Sequence, residues 1–283
     1  MISVIIPTYN RAKLLLRSMQ SVLEQTFTDL ELIVVDDAST DDTEQVVTSV
    51  RDDRVRYIRM EKNGGACAAR NAGIAAARGE WIAFQDSDDV WFPDKLARQF
   101  AQLTETGADV VFCAFERCTA EGKKLYVFPH AYVQPGKVTY EQLLFENLAS
   151  TQTILGRKVC FEQVRFKPDF PRLQDWEMML RMVQQYDVRY FDDVLARMYE
   201  QPDSISKNPE KGLAAFEALY AMHKPAIDGS DRLTIRMCHG IAEARRACGM
   251  TVWTPYFQRI SFRRSLTTNL RLLLTGVKRM LKH

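Results

Sequence analysis

Three carboxylates stand close together at Asp86, Asp88 and Asp89, directly after the apolar run Trp81-Ile82-Ala83-Phe84 and just before Trp91-Phe92-Pro93. A run of that kind reads as a buried strand, so the acids crowd at a strand end where they have little room to separate. Like charges so placed make one another harder to ionise, and a hard divalent cation with oxygen ligands relieves them. The alternative is an acidic turn that caps the following helix, with Asp94 as the cap. The choice depends on what the neighbouring segments bring to the same place.

Those segments alternate between two periods. Residues 2–6 form a short β-branched run stopped by Pro7, the pattern of a buried parallel strand. Leu14, Leu15, Met19, Val22 and Leu23 recur at helical spacing. A second strand over 30–35 ends at Asp36-Asp37, Ser39-Thr40-Asp41-Asp42 opens a helix bearing Val46, Val47 and Val50, and 55–58 is a third strand. Asn63-Gly64-Gly65 opens an alanine-rich helix that runs to Arg78 and stops at Gly79. With 81–84 as the fourth strand, the order predicts an open α/β sheet of mostly parallel strands with helices on both faces. Ligands bind such sheets at the carboxyl ends of the strands. The polar stretches Pro7-Thr8-Tyr9-Asn10, Asp36-Asp37 and Asp86-Ser87-Asp88-Asp89 all fall there.

Further along, 95–103 reads as a helix, 110–115 as a fifth strand, and 124–128 with 137–138 as a hairpin. Residues 140–145 and 173–182 are helical, the second carrying Asp175 and Glu177 in its first turn. Residues 188–199 return as a strand, and 209–250 are helical.

The 283 residues are 46% hydrophobic and 26% charged, as in a soluble globular protein with a substantial core. Six cysteines form no C-x-x-C pair and four histidines complete no zinc spacing, which implies free thiols in a reducing compartment. Pro7 interrupts the first apolar run too early for a signal peptide, and no window reaches the ~18 apolar residues of a membrane span. A cytoplasmic protein is expected. After Glu243 there is no acidic residue, while Arg259, Arg263, Arg264, Arg271, Lys278, Arg279 and Lys282 alternate with leucines at helical spacing. Such a tail suits peripheral contact with an anionic membrane, on the cytoplasmic face of the inner membrane; the alternative is a docked helix with a solvated basic face. Its aromatics are too scattered for a nucleic-acid stacking platform, so nucleic acid is not expected as a partner.

Four stretches together, S-V-I-I-P-T-Y-N-R, L-I-V-V-D-D-A-S-T-D-D-T, N-G-G-A-C-A-A-R-N-A-G-I and F-Q-D-S-D-D-V-W, resemble the family-2 glycosyltransferases with a GT-A fold. The resemblance is strong over 1–115 and looser to 206. It implies a GT-A domain over 1–206, with a nucleotide-sugar donor half at 1–115 and an acceptor half at 116–206. Residues 207–283 would then be a helical extension with a basic amphipathic end. It also implies an inverting transfer from a nucleotide-diphospho-sugar, a UDP-sugar, to a glycan or lipid-linked glycan in bacterial surface polysaccharide or lipopolysaccharide synthesis.

On that resemblance Pro7, Thr8, Tyr9, Asn10, Asp36 and Asp37 build the nucleoside pocket. The Tyr9 ring suits stacking on a base, Asp37 suits the imide nitrogen of uracil, and Asp36 braces the loop or the ribose. Arg70 and Asn71 follow the glycine pair and face the diphosphate, together with Asp86 and Ser87. Asp88 and Asp89 are the candidate ligands of Mn²⁺ or Mg²⁺, which would stabilise the leaving diphosphate. Gln174-Asp175-Trp176-Glu177 matches the family's acidic motif, making Asp175 the catalytic base and Glu177 its substitute, although Gln174 stands where glutamate is common. In 199–206, Gln201 stands where many relatives have histidine. A second reading is a catalytically silent GT-A domain that binds sugar nucleotides as a partner subunit. A dinucleotide-dependent oxidoreductase is excluded because P-T-Y-N-R occupies the turn where G-x-G-x-x-G belongs.

Overall fold

The computed structural model describes residues 1–129, 133–201 and 208–250. The basic tail at 251–283, and the part of the 199–206 stretch from Pro202 onward, lie outside the described residues.

The chain opens as anticipated. Strands β1 (Ile2–Thr8), β2 (Leu30–Asp36), β3 (Val55–Arg59) and β4 (Trp81–Phe84) alternate with helices α1 (Ala12–Leu23), α2 (Thr43–Ser49) and α3 (Ala66–Ala76). They pair in parallel as β3-β2-β1-β4, with Ile2 opposite both Leu30 and Trp81. Alternation sends Ile2, Val4 and Ile6 into a core shared with α1, while Ile5 packs on the other face against α3.

Beyond β4 come β5 (Val90–Trp91), α4 (Lys95–Thr106), β6 (Val110–Cys118), β7 (Lys124–Phe128), β8 (Gly136–Lys137) and α5 (Tyr140–Phe145). A 3₁₀ turn (Thr151–Thr153) leads to β9 (Ile154–Arg157), α6 (Lys158–Gln163), α7 (Gln174–Met182) and β10 (Val188–Tyr199). The sheet continues β4-β9-β6-β10-β5, with β7 on β6 and β8 on β10. Here the structure adds to the sequence reading. The polar stretch after α5 contains a strand that enters the centre of the sheet, antiparallel to both β4 and β6. Its four residues, Ile-Leu-Gly-Arg, are too short for a periodic signal. Gly156 is required there, since a Cβ would come within 2.8 Å of Val110 and 3.0 Å of the Asp109 carbonyl.

Helices α8 (Pro209–Asp228) and α9 (Asp231–Ala247) pack on the face that carries α3, α5 and α7. The 209–250 stretch is therefore two helices, and α8 bends at His223, two residues before Pro225. All six cysteines are free, and five of them are buried. No helix among the described residues is long and apolar enough to cross a membrane.

Helix α3 lies against β1 at Gly73, where a Cβ would come within 2.4 Å of the Ile5 Cγ2. Alanine in a helix interior gains up to ~1 kcal/mol over glycine, but forcing a methyl against a stiff β-branched side chain costs ~1–3 kcal/mol. Gly73→Ala should therefore lose about 1–2 kcal/mol in urea unfolding. An unchanged or raised midpoint would show that the strand–helix contact has room to spare.

Candidate active site

Three loops at the carboxyl ends of β1, β2 and β4 meet, and they are tied by backbone-directed bonds. After β1, Asn10 takes a positive φ of 52°, accepts from the Thr40 N–H at 2.8 Å and donates its own N–H to Ser39 Oγ at 2.9 Å. After β2, Ala38 takes a positive φ of 62°. Asp37 donates its backbone N–H to the Thr8 carbonyl at 2.8 Å, clamping β1 to β2 at Pro7-Thr8. Such conformations cost non-glycine residues of order 1–3 kcal/mol and persist where surrounding bonds enforce them. The Tyr9 side of this clamp is open, the residue being 47% exposed, which leaves its ring available for stacking.

The two acids after β2 have different roles. Asp36 is completely buried, accepting from Ser39 N–H at 2.8 Å and from the Tyr57 hydroxyl at 2.5 Å, with Arg59 at 3.6 Å. Burial and the bond to Asp36 push the Tyr57 hydroxyl up to about 12, so it remains a donor. Asp36 is a brace. Asp37 accepts from the backbone N–H groups of Gly64 and Gly65, one on each oxygen and each at 2.7 Å. The glycine pair, with Gly65 at φ 82°, can therefore bend over the Asp37 carboxylate and start α3 beside it.

One turn into α3, Arg70 is nearly buried and donates to Asp86 Oδ1 at 2.7 Å, with its guanidinium over the Phe166 ring at 5.3 Å. Its Nε is buried and lacks a hydrogen-bond partner among the described residues. Burial works against its charge, but Asp86, Cys67 and Asp175 together outweigh that and raise its affinity for a proton. The neighbouring Asn71 works elsewhere. Its amide donates to the Phe166 carbonyl at 2.8 Å and accepts the Phe166 N–H at 3.1 Å, which fixes the loop before α7.

The acidic loop divides. The Asp86 carbonyl is held by Ser18 and the Asp88 carbonyl by Arg17, both from α1. The carboxylates of Asp86 and Asp88 are half-buried, and Ser87 is buried between them. Asp89 is 6% exposed, and both its oxygens accept from the protein: Oδ2 from the Gln152 amide at 2.5 Å and Oδ1 from Tyr199 N–H at 2.8 Å. Burial, with Asp88 and Asp86 adjacent, pushes its carboxyl well above the usual range.

Asp175 enters from the opposite side, in the first turn of α7, after Leu173 at φ 60°. Its Oδ1 accepts from Trp176 N–H at 2.8 Å and from the Asn147 amide at 3.4 Å. Burial raises its carboxyl above the ordinary aspartate value, and Arg70 and Asp86 lie near enough to pull it down and up respectively. Glu177, which the sequence offers as a substitute base, is fully buried and held by Lys167 at 2.8 Å and Arg181 at 2.6 Å. Burial works to raise its carboxyl, but those two cations overrule it and keep the group ionised. Gln174 donates to the Phe170 carbonyl at 2.9 Å. Asn147 and Phe166, which complete this side, carry no motif that the sequence could show. The three non-glycine residues of positive φ among those described, Asn10, Ala38 and Leu173, all flank the site.

The residues fit a divalent cation that shares its coordination with a ligand. No group of three or more His, Cys, Asp or Glu among the described residues is arranged to hold a metal by itself. Mg²⁺-type ions commonly take one or two carboxylates and fill the rest of the shell with phosphate oxygens and water.

A family model described as "Glycosyl transferase family 2" matches residues 3–160. The "Putative colanic acid biosynthesis glycosyl transferase WcaA" of Escherichia coli strain K12 is 34% identical over 194 residues, 66% of this chain and 67% of that protein. Among solved structures, S. aureus TarS 1–349 in complex with UDP-GlcNAc superposes with a TM-score of 0.66 at 21% identity, over 95% of this chain and 77% of that one. The mannosyltransferase PcManGT from Pyrobaculum calidifontis, in complex with GDP-Man and Mn²⁺, gives 0.65 at 20% identity, over 99% and 80%. At those identities the structural likeness speaks for the fold.

The Asp37–glycine clamp yields a direct expectation. Asparagine can accept only one of the two N–H bonds and turns an NH₂ group toward the other. Asp37→Asn should cost ~1–3 kcal/mol of stability in urea unfolding. A midpoint equal to wild type would show that the clamp does not hold the loop.

Proposed function

This chain belongs to glycosyl transferase family 2 and has the GT-A fold, and we propose that it moves a sugar from a UDP-sugar to a hydroxyl of a glycan or lipid-linked glycan with inversion. The reading is carried by one observation: the buried Arg70 guanidinium of α3 pairs with Asp86 of the loop after β4 at 2.7 Å, and both charges act on the ionisation of Asp175. The likeness to WcaA supports a place in bacterial surface-polysaccharide synthesis. The UDP-GlcNAc complex of TarS supports a UDP-sugar donor, and the GDP-Man and Mn²⁺ complex of PcManGT supports a nucleotide-sugar donor with a divalent cation.

In this reading Tyr9 stacks on the uracil, and the remaining lone-pair capacity of Asp37 receives its imide N–H. Arg70 counters the diphosphate charge. Asp88, with Asp86 beside it, would hold Mn²⁺ or Mg²⁺, while Asp89 fixes the loop through Gln152 and Tyr199. The cation when bound supplies Lewis-acid stabilisation of the departing diphosphate. Asp175 takes the proton of the acceptor hydroxyl as its oxygen bonds to the anomeric carbon, and the bond from that carbon to the diphosphate oxygen breaks. A carboxylate raised by burial is a stronger base than a solvated one, and it requires no covalent intermediate on the protein.

A thermal-shift series with nucleoside diphosphates tests the donor pocket: UDP should raise the melting temperature with Mn²⁺ and much less without it. Indifference to every nucleotide would rule the pocket out. Asp175→Asn should abolish transfer and leave that UDP shift intact; retained turnover would move the base elsewhere. The sign of its stability effect also follows. A carboxyl whose folded-state value is raised contributes stability at low pH that is lost as pH rises, so the neutral amide should melt no lower than wild type near pH 7. For the wild-type enzyme, kcat should fall with acidification through the raised value of Asp175, at higher pH than an ordinary aspartate would give.

A further inference from the structure

We propose that Asn147 belongs to the acceptor site, where its Nδ2 holds the Asp175 carboxylate and its Oδ1 accepts a hydrogen bond from an acceptor hydroxyl. That hydroxyl would neighbour the one Asp175 deprotonates, so the pair recognises adjacent hydroxyls of a sugar. The inference rests on Asp175 being the base.

The geometry begins with Trp176. Its indole Nε1 donates to the Leu143 carbonyl of α5 at 2.6 Å, and its ring is buried edge-on against Phe216. The indole thereby fastens α5 to α7 at the residue immediately after Asp175. Asn147 lies two residues past the end of α5, and Leu148 and Ala149 after it are anchored in the core. The chain thereby brings Asn147 Nδ2 to 3.4 Å from Asp175 Oδ1.

The direction of the amide follows from its partner. An ionised carboxylate only accepts, so the NH₂ group faces Asp175 and the carbonyl oxygen faces away from it. That Oδ1 is buried and has no hydrogen-bond partner among the described residues. Buried acceptors are normally satisfied, and leaving one unpaired is costly. Beside a carboxylate that receives a sugar hydroxyl, a second hydroxyl of the same sugar is a donor of the right kind. Long hydrogen bonds at such sites tighten when substrate is bound.

The charged and titratable groups that act on Asp175 are Arg70 and Cys67 from α3, Asp86 from the acidic loop, and Arg172 from the segment before α7. Asn147 adds a neutral donor to this set that favours the ionised form.

The test is initial-rate kinetics on the full chain with UDP-glucose, UDP-galactose or UDP-GlcNAc, Mn²⁺, and octyl β-glycosides as surrogate acceptors. Slow donor hydrolysis, read as UDP release, serves for the pH profile. Asn147→Ala should raise the acceptor KM about tenfold, the loss of one substrate hydrogen bond, and leave the donor KM within roughly twofold. The acidic limb of the rate should move to higher pH, because the ionised form has lost a donor. Asn147→Asp retains the outward oxygen but sets a second carboxylate against Asp175, and should move the limb further. An acceptor KM and limb like wild type in Asn147→Ala would overturn the proposal. So would donor and acceptor KM rising together with a lowered melting temperature, the mark of a structural role alone. Failure of the underlying reading looks different: Asp175→Asn would keep its transfer rate, whatever the Asn147 variants do.

Discussion

The ion pair between the buried Arg70 guanidinium and the half-buried Asp86 carboxylate is the interaction on which the site depends. A guanidinium removed from water is tolerated only with a close carboxylate, and removing that carboxylate leaves the buried charge uncompensated. The constraint propagates outward. Arg70 is placed by α3, whose start is bent over Asp37 by the two glycine N–H bonds, and Asp37 is itself clamped to the end of β1. Asp86 is placed by β4 and held at its carbonyl by Ser18 of α1. Three strand ends and two helices therefore converge on one charge pair. The strained backbones at Asn10 and Ala38 follow from that convergence.

On the far side, Phe166 lies under the Arg70 guanidinium, and Asn71 holds the backbone of that phenylalanine. Helix α3 thus contacts the loop after β4 through Arg70 and the loop before α7 through the next residue. Glu177, buried between Lys167 and Arg181, secures α7 from below, while Asp175 lies half-buried in the first turn of that helix. Two acids separated by one residue in the same helix turn take unlike roles. One has two cationic partners that hold it ionised in the core, and the other has only neutral donors in contact, with Arg70 at a distance.

The frame of the first four strands was legible because β1 and β2 are β-branched runs, α1 keeps a clear period and glycines mark both ends of α3. The placement of the acids at the ends of β2 and β4 was legible by position, but the hydrogen bonds that distinguish them were not. Asp36 and Asp89 look identical in sequence to their neighbours, and only the fold shows them buried with both oxygens of each bonded within the protein. Asn71 similarly reads as a ligand-facing residue from its motif, whereas the fold gives both ends of its amide to Phe166. Strand β9 could not be read because four residues carry no period and its place is set by β4 and β6. Asn147 was invisible for another reason: it reaches Asp175 from 28 residues away through the Trp176–α5 bond.

The most direct measurement is a crystal structure of the protein with UDP and Mn²⁺. The uracil should lie on Tyr9 with its imide toward Asp37, the cation on Asp88, and the diphosphate beside Arg70, leaving the anomeric position open to Asp175. UDP bound at another face, or a diphosphate turned away from the Arg70–Asp86 pair, would contradict the site described.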